Sequence, residues 1–231
     1  MVLLSRYKVI LLDVENTLID FDLDQRRAYF GAMKEININC TDEMYNDYSE
    51  INRRLWHKFD ASEIKLSDLF IKRHMIFFEK YNLNVDANKF EEILSLEFQK
   101  TGTLIKGIKE ILDILKKDYK LIIITNGKKE QQYKRLENVC LLDYFFKIFI
   151  SEEIGYSKPD IRFFDVVLES IPDIKKQEIL IVGDSISSDI LGGINVGIDT
   201  CWYNAKRKVK RLNINPTYEI SDMDSLLDII R

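Results

Sequence analysis

Short apolar runs recur along this chain, and most of them end in a polar residue that can take part in chemistry. The runs are rich in β-branched residues and apolar on both faces, which is typical of strands buried in a parallel sheet. Five runs have this character: Lys8–Leu12, Leu121–Ile124, Ile148–Ile150, Ile179–Val182 and Thr200–Tyr203. They predict a parallel sheet that is covered on both sides.

Segments with helical periodicity alternate with these runs. The segments are Ile105–Lys117, Glu130–Val139, Pro159–Ser170, Ser187–Val196 and Leu226–Ile230. Strand and helix in repetition predict an α/β fold, namely a three-layer, Rossmann-like core in which helices cover both faces of the parallel sheet.

A helical block interrupts this alternation after the first run. No strand-like run occurs across about residues 21–100, and four segments with helical periodicity follow one another there. The second segment repeats its apolar residues at steps of three and four. We therefore predict an inserted four-helix cap domain in that block, with a core formed by residues 1–20 and 101–231.

Candidate functional residues lie where the predicted strands end. Because the carboxyl ends of parallel strands meet at one edge of the sheet, side chains from different runs should converge there. The residues are Asp13 and Glu15 after the first run, Thr125 and Asn126 at the end of the second, Lys158 before the helix that follows the third, and Asp184 and Asp189 after the fourth.

The carboxylates in this set suit phosphoryl transfer through an aspartyl-phosphate. Asp13, at the tip of the first strand, is the candidate nucleophile, because a carboxylate that attacks phosphorus splits one difficult displacement into two easier ones. Mg²⁺ prefers oxygen ligands, which Asp13 and Asp184 can supply. Glu15 lies two residues after Asp13, on the same side of an extended segment, and could act as general acid and base.

The remaining groups are donors for a phosphoryl group. The Thr125 hydroxyl, the Asn126 backbone N–H and the Lys158 ammonium could bind the oxygens over which negative charge spreads during transfer. Each residue alone has an ordinary structural explanation, such as an aspartate that caps a turn. Their joint occurrence, in order and at strand ends, favours the functional interpretation.

Composition excludes several other classes of protein. Lys and Arg number 34 and Asp and Glu 38, so a net charge of −4 gives no general attraction to nucleic acid or anionic membranes. No apolar run reaches the roughly 18 residues of a membrane helix, and the apolar start is interpreted as a first strand, not a signal peptide. The three cysteines are far apart and fit a reducing cytoplasm better than a disulfide framework or zinc site. The basic run Lys206–Arg211 is predicted to be a solvated loop.

The ordered motifs DVENT, LIIITNG, SKPD and GDSISSD resemble those of the haloacid dehalogenase (HAD) superfamily of aspartyl-phosphate phosphatases. The match spans almost the whole chain, and the helical block resembles that family's type-1 cap. The segments ISEEIGYSKPD and GDSISSDILGGINVGIDTCWYN resemble its YjjG-type branch, the noncanonical pyrimidine nucleotidases. The resemblance implies Mg²⁺-dependent removal of phosphate from a small phosphate ester, with a nucleoside 5′-monophosphate as the expected substrate. Tyr48 and Trp56 of the cap are then candidates for stacking on its base, although core packing explains them equally well.

The resemblance also implies a role for each matched residue. These roles are Asp13 as nucleophile, Glu15 as general acid and base with its backbone carbonyl on the metal, Thr125 and Lys158 on the phosphoryl oxygens, Asp184 as a Mg²⁺ ligand, and Asp189 supporting that ion directly or through water.

Glu15 departs from the family pattern, which has Asp at this position. The extra methylene moves the carboxyl by about 1.5 Å, and a misplacement of about 1 Å can cost on the order of 10²-fold in rate. An active phosphatase, a weakened one and a phosphate-ligand sensor without turnover therefore remain open, as do a dehalogenase and a phosphomutase of the same superfamily. A receiver domain is excluded, because its acidic pair and phosphorylated Asp occur in a different order and its chain is shorter.

Overall fold

All five predicted runs form strands of one parallel sheet in the computed structural model, which describes residues 5–61, 63–209 and 213–230. The strands are β1 (Val9–Leu12), β2 (Lys120–Thr125), β3 (Lys147–Ile150), β4 (Ile179–Gly183), β5 (Asp199–Tyr203) and β6 (Tyr218–Ile220). Their order across the sheet is β3-β2-β1-β4-β5-β6, and every neighbouring pair is parallel. The predicted α/β fold class is confirmed.

Helices account for most of the remaining described residues. They are α1 (Phe21–Glu35), α2 (Asp42–Asp60), α3 (Leu66–Lys80), α4 (Ala87–Gln99), α5 (Ile108–Asp118), α6 (Lys129–Asn138), α7 (Ser151–Ile154), α8 (Ile161–Glu169), α9 (Leu191–Val196) and α10 (Ser225–Ile230).

The central strand β1 explains the three layers. All four of its residues are fully buried, and alternate side chains of a strand point to opposite faces. Ile10 and Leu12 belong to a core cluster that includes residues of α5 and α10, whereas Val9 and Leu11 belong to a second cluster that includes residues of α8. Burying each such side chain contributes about 1.5–3 kcal/mol relative to exposure. Both faces of the sheet are therefore covered, as the apolar runs predict.

The strand order places a switch point at β1. The chain runs from β1 to β2 and β3 on one side, then returns to β4 beside β1 and continues to β5 and β6 on the other. Ligands of open parallel sheets bind outside the carboxyl ends of the strands at such a point. The topology thus selects the ends of β1, β2 and β4 as the place to look for a site.

Three local features differ from the sequence-based expectations. The edge strand β6 was not predicted, because it has only three residues and its central Glu219 is exposed. Helix α8 begins at Ile161 and not at Pro159, since Asp160 is the N-cap and accepts a hydrogen bond from the Arg162 backbone N–H. The helix predicted from Ser187 begins instead with a π-helical turn at Ile186–Ile190, which leads into α9.

The chain divides into two compact units, and the second is the helical block Asp22–Thr101. The first unit takes the described residues up to Phe21 and from Gly102 onward, so each boundary lies one residue beyond the expected one. That this helical unit acts as a cap stays a prediction. Met1–Leu4, at the apolar start, and Ser62 lie outside the described residues.

Aromatic packing holds the helical unit together. Tyr48 is fully buried and its ring stacks on Tyr29 at a centroid distance of 3.8 Å, so packing within the unit accounts for it. Trp56 makes edge contacts with Phe59 and Phe70. These contacts favour the core-packing interpretation of both candidates for base stacking.

A polar cluster is also buried in the helical unit. Glu91 accepts a hydrogen bond of 2.6 Å from Arg73 and lies 2.6 Å from His74 Nε2. A buried charge is tolerated when it is paired in this way.

Among the described residues, no helix is both long enough and apolar enough to cross a bilayer.

Candidate active site

Three of the predicted residues lie at the carboxyl ends of neighbouring strands. Asp13 directly follows β1, Thr125 is the last residue of β2, and Asp184 directly follows β4. The Asp13 backbone N–H donates to the Val182 carbonyl at 3.0 Å, which continues the β1–β4 pairing by one residue. Sheet register therefore fixes the position of the Asp13 backbone.

Lys158 joins the candidate residues at the centre of this edge. Its ammonium, on a side chain only 2% exposed, donates to Asp13 Oδ1 at 2.7 Å, to Asp189 Oδ1 at 2.6 Å and to the Ile124 carbonyl at 2.8 Å. Burial alone would lower the pKa of Lys158, but the two carboxylates outweigh this effect and raise it above the ordinary value. The buried ammonium is therefore charged and satisfied.

Asn126 fixes the segment that carries Lys158. Its side-chain amide donates to the Lys158 carbonyl and accepts from the Lys158 backbone N–H, both at 2.9 Å. This reciprocal pair ties the end of β2 to the loop before α8, across 32 positions of sequence. The side chain of Asn126 thus has a positioning role that the sequence did not reveal, whereas its backbone N–H stays a predicted phosphate donor.

Three carboxylates converge beside the Lys158 ammonium. One oxygen from each of Asp13, Asp184 and Asp189 lies within 4.8 Å of the others. Burial raises the pKa of Asp13 to about 7, with Lys158 opposing that rise and Asp189 adding to it. Burial likewise raises the pKa of Asp184 to about 6, against the opposing effect of Lys208. Ionising these carboxyl groups together is therefore unfavourable without a further cation.

This cluster has the chemistry of a hard-cation site. Mg²⁺ is bound in proteins by one or two carboxylates together with water and substrate oxygens, and the donors here are all oxygens. Asp13 and Asp184 fit that role. Asp189 has both oxygens occupied, since Oδ1 accepts from Lys158 and Oδ2 accepts from the Ser185 N–H at 3.1 Å. Its geometry therefore fits a supporting role better than direct ligation.

The π-helical turn after β4 explains how Asp189 reaches the cluster. Backbone N–H groups of Asp189 and Ile190 both donate to the Ser185 carbonyl, which widens the turn at its start. The carboxyl then lies against Gly183, where a Cβ atom would stand only 2.2 Å from Asp189 Oδ2. Glycine at this position is therefore required by the close approach of the carboxylate.

Lys208 brings part of the basic run into the site. Its ammonium lies 3.2 Å from Asp184 Oδ2. Its backbone N–H donates to Oδ1 of the buried Asn204, and its backbone carbonyl accepts from Asn204 Nδ2. The segment is exposed, as expected of a solvated loop, but one of its cations contacts a candidate metal ligand. Lys210 and Arg211, at the end of the run, lie outside the described residues.

Thr125 is arranged as a hydrogen-bond donor. Its Oγ1 accepts from the Gly127 N–H at 3.3 Å and from Gln132 Nε2 at 3.2 Å. A hydroxyl has two acceptor positions and one hydrogen to donate. Because both acceptor positions are occupied, the hydrogen remains available for an incoming oxygen, which matches the predicted contact with a phosphoryl group.

Glu15 is held by two residues that sequence reasoning missed. Its Oε1 accepts from Gln132 Nε2 at 2.8 Å and forms an ion pair with Arg135, both on α6. Polar and charged residues dominate α6, so its sequence suggests a solvated helix. The only signal was their position directly after the Thr125–Gly127 turn. The backbone carbonyl of Glu15 stays a predicted metal ligand.

The sequence profile of the haloacid dehalogenase-like hydrolases matches residues 10–203 of the chain. The chain belongs to this family. Its strand-end aspartates and buried lysine thus lie in a HAD hydrolase, and the enzyme class expected from the motifs is confirmed.

Relatives of similar length support the expected branch. The chain is 33% identical over 227 residues to the HAD-hydrolase YfnB of Bacillus subtilis, with 98% of this chain and 97% of the relative covered. It is 33% identical to the pyrimidine 5′-nucleotidase YjjG of Escherichia coli, with 96% of each chain covered. It is 31% identical to the pyrimidine 5′-nucleotidase PynA of Streptococcus pneumoniae, with 97% and 95% covered.

A solved structure agrees with the fold over its full length. The crystal structure of Bacillus subtilis YfnB bound to magnesium matches with a TM-score of 0.95 at 33% identity, covering 98% of this chain and all of that one. This HAD hydrolase therefore shares the architecture of a relative that binds magnesium.

Proposed function

We propose that this HAD hydrolase is a Mg²⁺-dependent phosphatase that works through an aspartyl-phosphate on Asp13, with pyrimidine nucleoside 5′-monophosphates as preferred substrates. The observation that carries the proposal is the buried Lys158 ammonium, which contacts both Asp13 and Asp189 beside the carboxylate of Asp184. This arrangement combines a nucleophile, a counter-charge for phosphoryl oxygens and an oxygen-rich cation site within one cluster.

Asp13 and Asp184 would hold the cation. When bound, Mg²⁺ would neutralise these carboxylates and the phosphoryl oxygens, so that like charges can approach each other. Asp189 would keep Lys158 and the turn after β4 in place, because its two oxygens bind the ammonium and the Ser185 N–H.

The proposed reaction has two steps, which form and then hydrolyse the aspartyl-phosphate. In the first, an Asp13 oxygen forms a bond to phosphorus while the bond from phosphorus to the ester oxygen breaks, and protonated Glu15 gives its proton to the leaving alkoxide. In the second, Glu15 takes a proton from water as the water oxygen bonds to phosphorus. The bond between Asp13 and phosphorus then breaks, which frees inorganic phosphate and regenerates both carboxyl groups.

Lys158 and Thr125 would stabilise the transferring group. Its equatorial oxygens gain charge in the transition state, and preorganised donors in a buried site stabilise that charge strongly. Lys158 is fixed by Asn126, and the Thr125 hydrogen is left free by the two donors to its oxygen. Both groups are therefore in place before substrate arrives.

The proposed substrate class comes from the relatives. YjjG and PynA are named as pyrimidine 5′-nucleotidases and cover almost the whole chain. Our sequence-based expectation of a nucleoside monophosphate narrows accordingly to pyrimidine nucleotides.

Phosphate release from a panel of nucleoside 5′-monophosphates, with and without Mg²⁺, tests the proposal. We expect wild-type turnover with pyrimidine nucleotides, loss of that turnover in Asp13→Asn, and no change in the control Asp143→Asn, which alters an exposed aspartate in the turn after α6. Activity that survives Asp13→Asn would contradict the aspartyl mechanism.

Three further measurements separate the competing interpretations of Glu15. Chloride release from a 2-haloacid without phosphatase activity would favour a dehalogenase, and isomerised sugar phosphate without free phosphate would favour a phosphomutase. Tight nucleotide binding without any turnover would favour a sensor.

A further inference from the structure

We infer that Gln132 and Arg135 are positioning residues that adapt this site to Glu15 and select Glu15 Oε2 as the oxygen that transfers the proton. This inference rests on the proposed function and adds to it. The two residues lie three positions apart on α6, so they share one face of the helix. Both are almost fully buried, at 2% and 1% exposure.

The two oxygens of Glu15 have different surroundings. Oε1 accepts from Gln132 Nε2 at 2.8 Å and from the Arg135 guanidinium. Oε2 is buried and has no hydrogen-bond partner among the described residues. Buried carboxylate oxygens are normally satisfied, so an unpartnered one two residues after a candidate nucleophile points to a reaction partner. Two donors on Oε1 fix the carboxyl and leave Oε2 to receive and return the proton.

The length of the glutamate matches these donors. An aspartate at position 15 would place its carboxyl about 1.5 Å short, if the backbone stayed in place. A donor–acceptor distance of 2.8 Å would then exceed the range of a normal hydrogen bond. From the sequence alone, the additional methylene of Glu15 was expected to misplace its carboxyl. In the structure, the same methylene lets that carboxyl reach its donors on α6.

Gln132 also connects Glu15 to the phosphoryl-binding hydroxyl. The same Nε2 group lies 2.8 Å from Glu15 Oε1 and 3.2 Å from Thr125 Oγ1, so each of its two hydrogens has an acceptor. Gly127 makes room for it, because a Cβ atom there would stand 2.1 Å from Gln132 Nε2. One amide thus aligns the proton donor with a ligand of the transferring group.

Leaving-group dependence distinguishes this role from simple structural support. A nucleoside leaves as an alkoxide that needs a proton, whereas p-nitrophenolate is a weak base that leaves without one. We expect Arg135→Met and Gln132→Met to lower kcat for a pyrimidine nucleoside 5′-monophosphate about 10²-fold with little change in KM. Rapid mixing with p-nitrophenyl phosphate should still give a first-turnover burst of p-nitrophenolate. Arg135→Lys should restore part of the lost activity.

The matched control is Lys134→Met, which removes an exposed cation from the same helix, paired with Glu137. We expect wild-type kinetics from it. If Arg135→Met fails to fold, Gln132→Met carries the test alone, since it keeps the guanidinium and removes only the amide. Loss of the burst in the folded variants, in parallel with the loss of nucleotide turnover, would overturn the inference.

A double-mutant comparison gives an independent criterion. If Arg135 acts through Glu15, adding Arg135→Met to Glu15→Gln should lower kcat by less than about twofold beyond Glu15→Gln alone. If the double variant instead shows the product of the two single losses in kcat, Arg135 acts elsewhere. That result would overturn this inference and leave the proposed function intact. Absence of turnover in the wild-type chain would overturn the proposed function as well.

Discussion

Without the proposed Mg²⁺, the stability of this HAD hydrolase should fall as pH rises, because the buried carboxylates must then ionise without a metal ion. Burial raises the pKa of Asp184 from 3.8 to about 6. A raised pKa means that the folded chain binds more protons than the unfolded chain between these two values. Stability is therefore fully present below about pH 4 for this group and is lost as pH rises through about 6.

The size of the effect follows from the same two values. Each tenfold change in proton affinity corresponds to about 1.36 kcal/mol, so Asp184 alone should destabilise the metal-free chain by about 3 kcal/mol above pH 7. Asp13, whose pKa is raised to about 7 in the same cluster, acts in the same direction. Mg²⁺ should relieve the repulsion, because it binds the ionised carboxylates.

Urea denaturation at about pH 5 and pH 8, in EDTA and in excess Mg²⁺, measures this effect as a change in the free energy of unfolding. The variant Asp184→Asn removes the charge at nearly constant shape and isolates its contribution from the other groups that titrate. We expect the metal-free wild type to lose more stability between the two pH values than Asp184→Asn does. We also expect Mg²⁺ to stabilise the wild type more strongly at the higher pH. An equal pH dependence in the two proteins would refute the reasoning.

Three further substitutions test the site. Gly183→Ala would place a methyl group 2.2 Å from Asp189 Oδ2, so urea denaturation should show a loss of about 1–3 kcal/mol, accompanied by loss of turnover. Asn126→Ala removes both hydrogen bonds to the backbone of Lys158 and should lower kcat more than it raises KM, as measured by steady-state phosphate release. Lys208→Met removes the cation that contacts Asp184, the proposed Mg²⁺ ligand that follows β4, so isothermal titration with Mg²⁺ alone should show tighter binding.

Matched controls keep the outcomes of Gly183→Ala and Lys208→Met interpretable. Gly155→Ala tests a glycine that has open space around it but a positive φ of 82°, so it should destabilise the fold without displacing a site carboxylate. Arg207→Met removes a neighbouring cation from the same exposed loop, and it should leave Mg²⁺ affinity nearly unchanged. Weaker Mg²⁺ binding in Lys208→Met would contradict the expectation that the Lys208 ammonium and Mg²⁺ compete for the Asp184 carboxylate.

The sequence was sufficient to predict five of the six strands of the sheet and the polar residues at their carboxyl ends. Buried parallel strands are apolar on both faces, so their ends are sharply marked by the first polar residue, as at Asp13 and Asp184. The motif order added chemistry to these positions. Convergence of Lys158 on Asp13 could be expected from the resemblance, but its contact with the Ile124 carbonyl could not.

Contacts made by polar residues of helices were not predictable from the pattern. Gln132 and Arg135 are buried although α6 is rich in charge, because their partner Glu15 comes from a segment about 120 positions earlier. His74 is likewise fully buried, and its partner Glu91 lies 17 positions later on another helix. Periodicity detects apolar faces, and it carries no information about a polar residue whose burial depends on a distant partner.

Direct detection of phosphate on Asp13 tests the central claim most directly. The wild-type protein would be mixed with a pyrimidine nucleoside 5′-monophosphate and Mg²⁺, quenched in acid within the first turnover, and digested for peptide mass spectrometry. Borohydride reduction of the acyl phosphate marks the modified residue. We predict a phosphorylated aspartate at position 13 that is absent without Mg²⁺ and absent in Asp13→Asn. Nucleotide turnover with no phosphate on Asp13 at any quench time, or with phosphate on another residue, would contradict the account.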